Sequence, residues 1–134
     1  MRRGLIPLSI VVLALGLAGA AAKKASEAPT EVFLNAVEEG GKQPGVHFNH
    51  AAHMKLAETC AKCHHTQKDL KADSDVEVAT CVGCHLTPEK EGVPDIKQMS
   101  PTKNAYHITC MGCHKESGKD TAPTKCTDCH VKAG

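Results

Sequence analysis

Cys60-Ala61-Lys62-Cys63-His64 constrains this chain more than any other stretch, because its spacing recurs three times. Cys81-Val82-Gly83-Cys84-His85, Cys110-Met111-Gly112-Cys113-His114 and Cys126-Thr127-Asp128-Cys129-His130 repeat it, and the four copies use all eight cysteines. Cys-x-x-Cys-His is the spacing of covalent c-type haem attachment. Two sulfurs three residues apart meet the two vinyl groups of one porphyrin, and the adjacent histidine lies under the iron as its proximal ligand. The sequence therefore predicts four covalently bound haem c groups. Cys60, Cys63, Cys81, Cys84, Cys110, Cys113, Cys126 and Cys129 hold them, and His64, His85, His114 and His130 are proximal.

Two other uses of the cysteines compete. Cys60, Cys63, Cys81 and Cys84 are spaced like a zinc ribbon, and eight cysteines in an exported chain also suit a disulfide scaffold. Neither accounts for a histidine directly after the second cysteine in every copy.

The rest of the composition points the same way. From Lys23 onward there are 20 large apolar residues, with no Trp, two Phe and one Tyr. A chain of this size with so few large side chains needs staples or a cofactor core. The expected fold is mainly α with much irregular loop, a small single-domain multihaem cytochrome whose core is formed by four haems.

Met1-Arg2-Arg3, an apolar run from Leu5 to Leu17, and Ala18-Gly19-Ala20-Ala21-Ala22 read as a secretory signal peptide over residues 1–22, cleaved after Ala20 or Ala22. Export agrees with haem attachment, which takes place outside the cytoplasm, and predicts a periplasmic protein. Residues 23–45 are polar and Gly-rich and read as a loosely held N-terminal arm; residues 46–134 read as the tetrahaem domain. Without Arg2 and Arg3, 14 of the 16 basic residues face 15 acidic ones, so no basic field suggests nucleic acid.

Along the chain, alternation makes Val46–Phe48 extended. Asn49 is a candidate N-cap for a helix from about Ala51 to Glu58 carrying His53. Residues 66–80 and 86–100 read as loops. Ser100-Pro101 reads as a helix start, with Ser as N-cap and Pro at the first position, and the helix then runs through His107 into the third motif. Residues 115–125 read as a connector.

Five histidines lie outside the proximal set: His47, His50, His53, His65 and His107. They suffice to close all four irons with a second imidazole, and His47 is the one expected to stay free. His65 follows a proximal ligand and cannot reach the opposite face of the same haem, so it must serve another. His50 and His53, three apart on one helix, project towards two different irons. His107 lies too near Cys110 to cap that haem. Met54, Met99 and Met111 are expected to be packing residues.

Val46-x-Phe48-x-His50-x-x-His53, then Cys60-x-x-Cys63-His64-His65, then Tyr106-His107 and the last two motifs resemble the class III c-type cytochromes, the tetrahaem cytochrome c3 family. The resemblance covers about residues 42–130. The two-residue gap inside every motif, and His107 lying close to the next motif, are similar to the acidic, type II branch. The resemblance implies four ligand pairs: His64 with His50, His85 with His65, His114 with His53, and His130 with His107. It also implies that Phe48 packs between haems, and that the partners are redox proteins: a hydrogenase, other cytochromes and a membrane-bound electron-transfer complex.

Irons closed on both sides have no site for a substrate. The expectation is thus a low-potential electron carrier, not an enzyme, with no small-molecule substrate. The competing expectation is a terminal reductase of metals or sulfur species acting through exposed haem edges.

Overall fold

The sequence alternates short apolar stretches with Gly-, Pro- and Asp-rich ones, and the structure follows that alternation. The computed structural model describes residues 23–35 and 43–132; the expected signal peptide lies outside the described residues. Two strands, β1 (Glu31–Leu34) and β2 (Val46–Asn49), form an antiparallel pair with Val32 opposite Phe48 and Leu34 opposite Val46. Four helices follow: α1 (His50–Leu56), α2 (Cys81–His85), α3 (Ala105–Ser117) and α4 (Cys126–Cys129). Of two 3-10 turns, Ala25–Glu27 and Cys60–Lys62, the second opens the first motif. Among the described residues no helix is long and apolar enough to cross a membrane.

Asn49 caps α1 as its sequence position suggests, its side chain accepting from the Ala52 N–H at 2.8 Å. Residues 66–80 and 86–100 are loops and turns. The third helix departs from the expectation. Its cap is Asn104, not Ser100, and residues 101–104 form a turn before it. Asn104 wins because it is used twice over. Its Oδ1 accepts from Tyr106 N at 2.8 Å and His107 N at 3.2 Å, and its Nδ2 donates to the carbonyls of Ile96 and Gln98, each at 2.7 Å. A Ser hydroxyl has no such second reach. Ser100 closes a local turn instead, accepting from the Thr102 N–H. The helix also runs past the third motif to Ser117 and stops at Gly118, whose φ of 60° is the left-handed cap that glycine takes without strain.

The first described residues are held more firmly than a loose arm. Ala25 N donates to Val76 O at 3.1 Å, Ser26 N to Ser74 O at 3.2 Å, and Val78 N to Lys23 O at 3.0 Å, while Lys24 pairs with Asp75 at 2.6 Å. Apart from the Lys24–Asp75 ion pair these are main-chain bonds, available to any sequence, so side-chain chemistry gave no sign of them.

The polypeptide supplies little interior of its own. Among the described residues the buried apolar ones are Ala25, Leu70, Ile96 and Ala105, and no large side chain is fully buried. Leu56, Met99 and Val131 are 59–66% exposed.

Candidate functional site

Each Cys-x-x-Cys-His unit occupies about one helical turn. At that pitch the two cysteines, three apart, share a face, and the histidine four after the first cysteine lies on it too. Local hydrogen bonds hold the turn: His64 N and His130 N each donate at 2.9 Å to the carbonyl of the first cysteine of their motif. All eight thiols are unbridged. Among the described residues no three His, Cys, Asp or Glu side chains converge as a metal site would require, so the four cysteines with zinc-ribbon spacing do not close on one point.

Thiols of different motifs nonetheless lie near one another. Burial pushes the Cys110 thiol up to about 11, with Cys63, Cys81 and Cys129 adding to the rise. Burial, then Cys113, raises Cys63, and burial, then Cys63, raises Cys81. Burial likewise raises the Tyr106 phenol to about 12. A cavity between the first two motifs is lined by Cys63, His64, His65, Cys81, Cys84 and His85.

The histidines fall into four facing pairs. Ring centres are 6.4 Å apart for His50 and His64, 6.0 Å for His65 and His85, 6.1 Å for His53 and His114, and 6.2 Å for His107 and His130. Imidazoles coordinated on opposite sides of one metal, with bonds of about 2 Å, have ring centres about 6 Å apart. His47 stands apart on β2, exposed, 4.7 Å from the Phe33 ring. Gly45 makes room for that contact, since a Cβ there would lie 2.5 Å from Phe33 Cζ. Phe48 lies against two pairs at once, 5.9 Å from His50 and 4.4 Å from His53.

Seven of the eight paired rings are tied to main-chain carbonyls through Nδ1. His50 donates to Pro29 at 3.0 Å, His53 to Asn49 at 2.8 Å, His85 to Pro94 at 2.7 Å, and His114 to Pro123 and His130 to Pro44 at 2.6 Å each; His64 to Ala79 and His107 to Ser100 are longer, 3.3 and 3.4 Å. A carbonyl only accepts, so Nδ1 carries the proton in each of these bonds, and Nε2 is the nitrogen left to bind a metal. Gln67 braces one of these acceptors. Its side chain bonds Glu77 O and Ala79 N, each at 2.8 Å, and so holds the segment whose Ala79 carbonyl meets His64.

Asn104 and Gln67 escaped the sequence reading. Asn is a strong cap former, which is a usable signal for Asn104. Gln67 carries no comparable mark in the sequence.

Comparison with known proteins bears on this arrangement directly. A sequence model described as the class III cytochrome C family matches residues 22–130. The chain is 40% identical over 115 residues to a cytochrome c3 of Maridesulfovibrio salexigens, with 79% of this chain and 97% of that one covered. It is 32% identical over 118 residues to the 26 kDa cytochrome c3 of Desulfomicrobium norvegicum, with 79% and 97% covered. A cytochrome c3 of Desulfovibrio desulfuricans is 32% identical over 108 residues, with 79% and 98% covered.

Proposed function

The chain belongs to the class III cytochrome c family, a family of electron-transfer proteins carrying four covalently attached c haems, and on that premise we propose that it closes all four irons with histidine on both faces and works as a low-potential periplasmic shuttle. The proximal ligands are His64, His85, His114 and His130, partnered by His50, His65, His53 and His107 in that order. One observation carries this reading. Four imidazole pairs stand 6.0–6.4 Å apart across gaps the size of one coordinated metal, and seven of the eight rings have Nδ1 engaged elsewhere. The donor set fits the cofactor in kind as well, with two thiols and an imidazole in every motif.

When bound, haem supplies a reversible one-electron change at its iron. The chain's own residues decide what that change is used for. Two imidazoles holding each iron would leave no coordination position for a substrate, so electrons would be exchanged with no bond made or broken. The Nδ1–H bonds to carbonyls make seven of the eight imidazoles stronger donors, which favours the ferric state and a low potential. Sites are brought close by sharing residues. His64 and His65 are neighbours that belong to different pairs, and His50 and His53 leave one helix for two different pairs. Reducing equivalents would come from a hydrogenase or another cytochrome and leave to a membrane redox complex. The basic start and apolar run before Lys23 support delivery to the periplasm.

The test is a haem-to-protein ratio with EPR of the oxidised mature protein. Four haems per chain, low-spin throughout in the oxidised form, and a reduced spectrum unaltered by carbon monoxide are expected. A high-spin iron, or a carbon monoxide adduct, would remove the closed-iron reading and favour reduction of an external acceptor at an open iron.

A further inference from the structure

Each of the four facing pairs contains one ring, and only one, held by a proline carbonyl: His50 by Pro29, His85 by Pro94, His114 by Pro123 and His130 by Pro44. Of the seven prolines in the sequence, Pro7 lies outside the described residues, and Pro88 and Pro101 take no part in these bonds. We infer that Pro29, Pro44, Pro94 and Pro123 are positioning residues, one for each metal site, which fix the plane of one imidazole and thereby the redox properties of that site. The inference rests on the ligand pairs proposed above.

The physical case is one of rigidity. All four prolines sit in loops or strand approaches, where the carbonyl direction is otherwise soft. The pyrrolidine ring fixes φ near −65°, so the carbonyl swings about one torsion, not two. Proline also has no N–H, so it is not drawn into a helix or a ladder that would turn its carbonyl away. The three shortest Nδ1 contacts, 2.6 to 2.7 Å, all go to proline, and the fourth proline contact, to Pro29, is 3.0 Å; the non-proline acceptors of His53, His64 and His107 lie at 2.8, 3.3 and 3.4 Å. The reach also differs in kind. Pro94 and Pro123 each lie nine residues after the histidine they hold, whereas Pro44 ties the approach to β2 to His130 across 86 residues. A bond of this kind orients the ring and raises its donor strength. His65 has no carbonyl partner among the described residues, so the His65–His85 pair depends on Pro94 alone.

Pro94→Gly and Pro94→Ala in the mature holoprotein test this, with Pro88→Gly, in the same loop, as the control. The readouts are the EPR g-values of the ferric protein and a potentiometric titration of the four haems. In Pro94→Gly one low-spin signal of four broadens or moves and one midpoint potential rises. Pro94→Ala, with its narrower φ range, gives a smaller change of the same sign, and Pro88→Gly gives none. Four unmoved signals in Pro94→Gly at full haem content would overturn the inference. So would equal changes in Pro94→Gly and Pro88→Gly, which would assign the effect to loop looseness. Failure of the ligand reading would show separately, as high-spin iron in the unsubstituted protein.

Discussion

Phe48 lies 4.4 Å from His53, ring centre to ring centre, with the planes tilted by 43°. The same ring is 5.9 Å from His50. Because His50 and His53 face different partners, His64 and His114, one aromatic side chain from β2 touches two sites. The alternation of Val46, His47 and Phe48 along a strand places it there, with His47 turned to the opposite side.

Phe48→Leu is therefore expected to move two of the four haems and spare two. An aromatic pair is worth about 0.5–1.5 kcal/mol beyond its buried area. For a one-electron couple a tenfold change in equilibrium is 59 mV, so the shift should stay within roughly 60 mV. Potentiometry with EPR of the oxidised protein checks it. A shift confined to one haem would contradict the shared contact.

His53→Ala should open one iron in four. A new high-spin signal and one carbon monoxide equivalent per chain are expected, with the other three irons unchanged. His47→Ala should leave both measurements as they were, since His47 packs on Phe33 and faces no other histidine.

Asn104→Ala should cost stability well beyond a surface change. Loss of the cap costs about 1 kcal/mol, and the carbonyls of Ile96 and Gln98 lose their buried donor at about 1–3 kcal/mol more. At several degrees per kcal/mol for a domain of this size, the melting temperature should fall by roughly 10 °C. Asn104→Asp, which keeps the cap acceptor but cannot donate, should fall about half as far. An Asn104→Asp melting temperature equal to that of the unsubstituted protein would show that the Nδ2 bonds contribute nothing.

Gly118→Ala should cost about 1 kcal/mol, because φ at this position is +60° and an L side chain is strained there. Nothing lies within 4 Å of the added methyl, so backbone strain would be the whole effect. Thermal melting of the holoprotein measures it.

Without haem the chain should not fold. Four buried apolar residues among those described, two of them alanine, are no core for a domain. The chain with all eight cysteines changed to Ala is expected to show no cooperative thermal transition and little near-ultraviolet dichroism. A sharp, reversible melt would mean that the polypeptide carries an interior of its own.

The sequence by itself determined the chemistry. The repeated motif names eight cysteines and four histidines without reference to any fold, because their spacing is set by one porphyrin and one helical turn. The cap at Asn49 was legible for the same reason: it is a contact over three residues. At the third helix local rules failed. Ser100-Pro101 satisfies the pattern of a helix start, yet Asn104 takes the role because its amide also reaches back to Ile96 and Gln98, and cap preference does not register that second use. Which histidine faces which was open to residue-level reasoning too, beyond the exclusion of immediate neighbours, and only kinship with a family supplied an order. Tertiary structure decided that His53 meets His114, that Pro44 holds His130 across 86 residues, and that residues 23–28 lie along residues 74–78. The last two run through main-chain carbonyls, which every residue carries alike, so composition and spacing leave no trace of them.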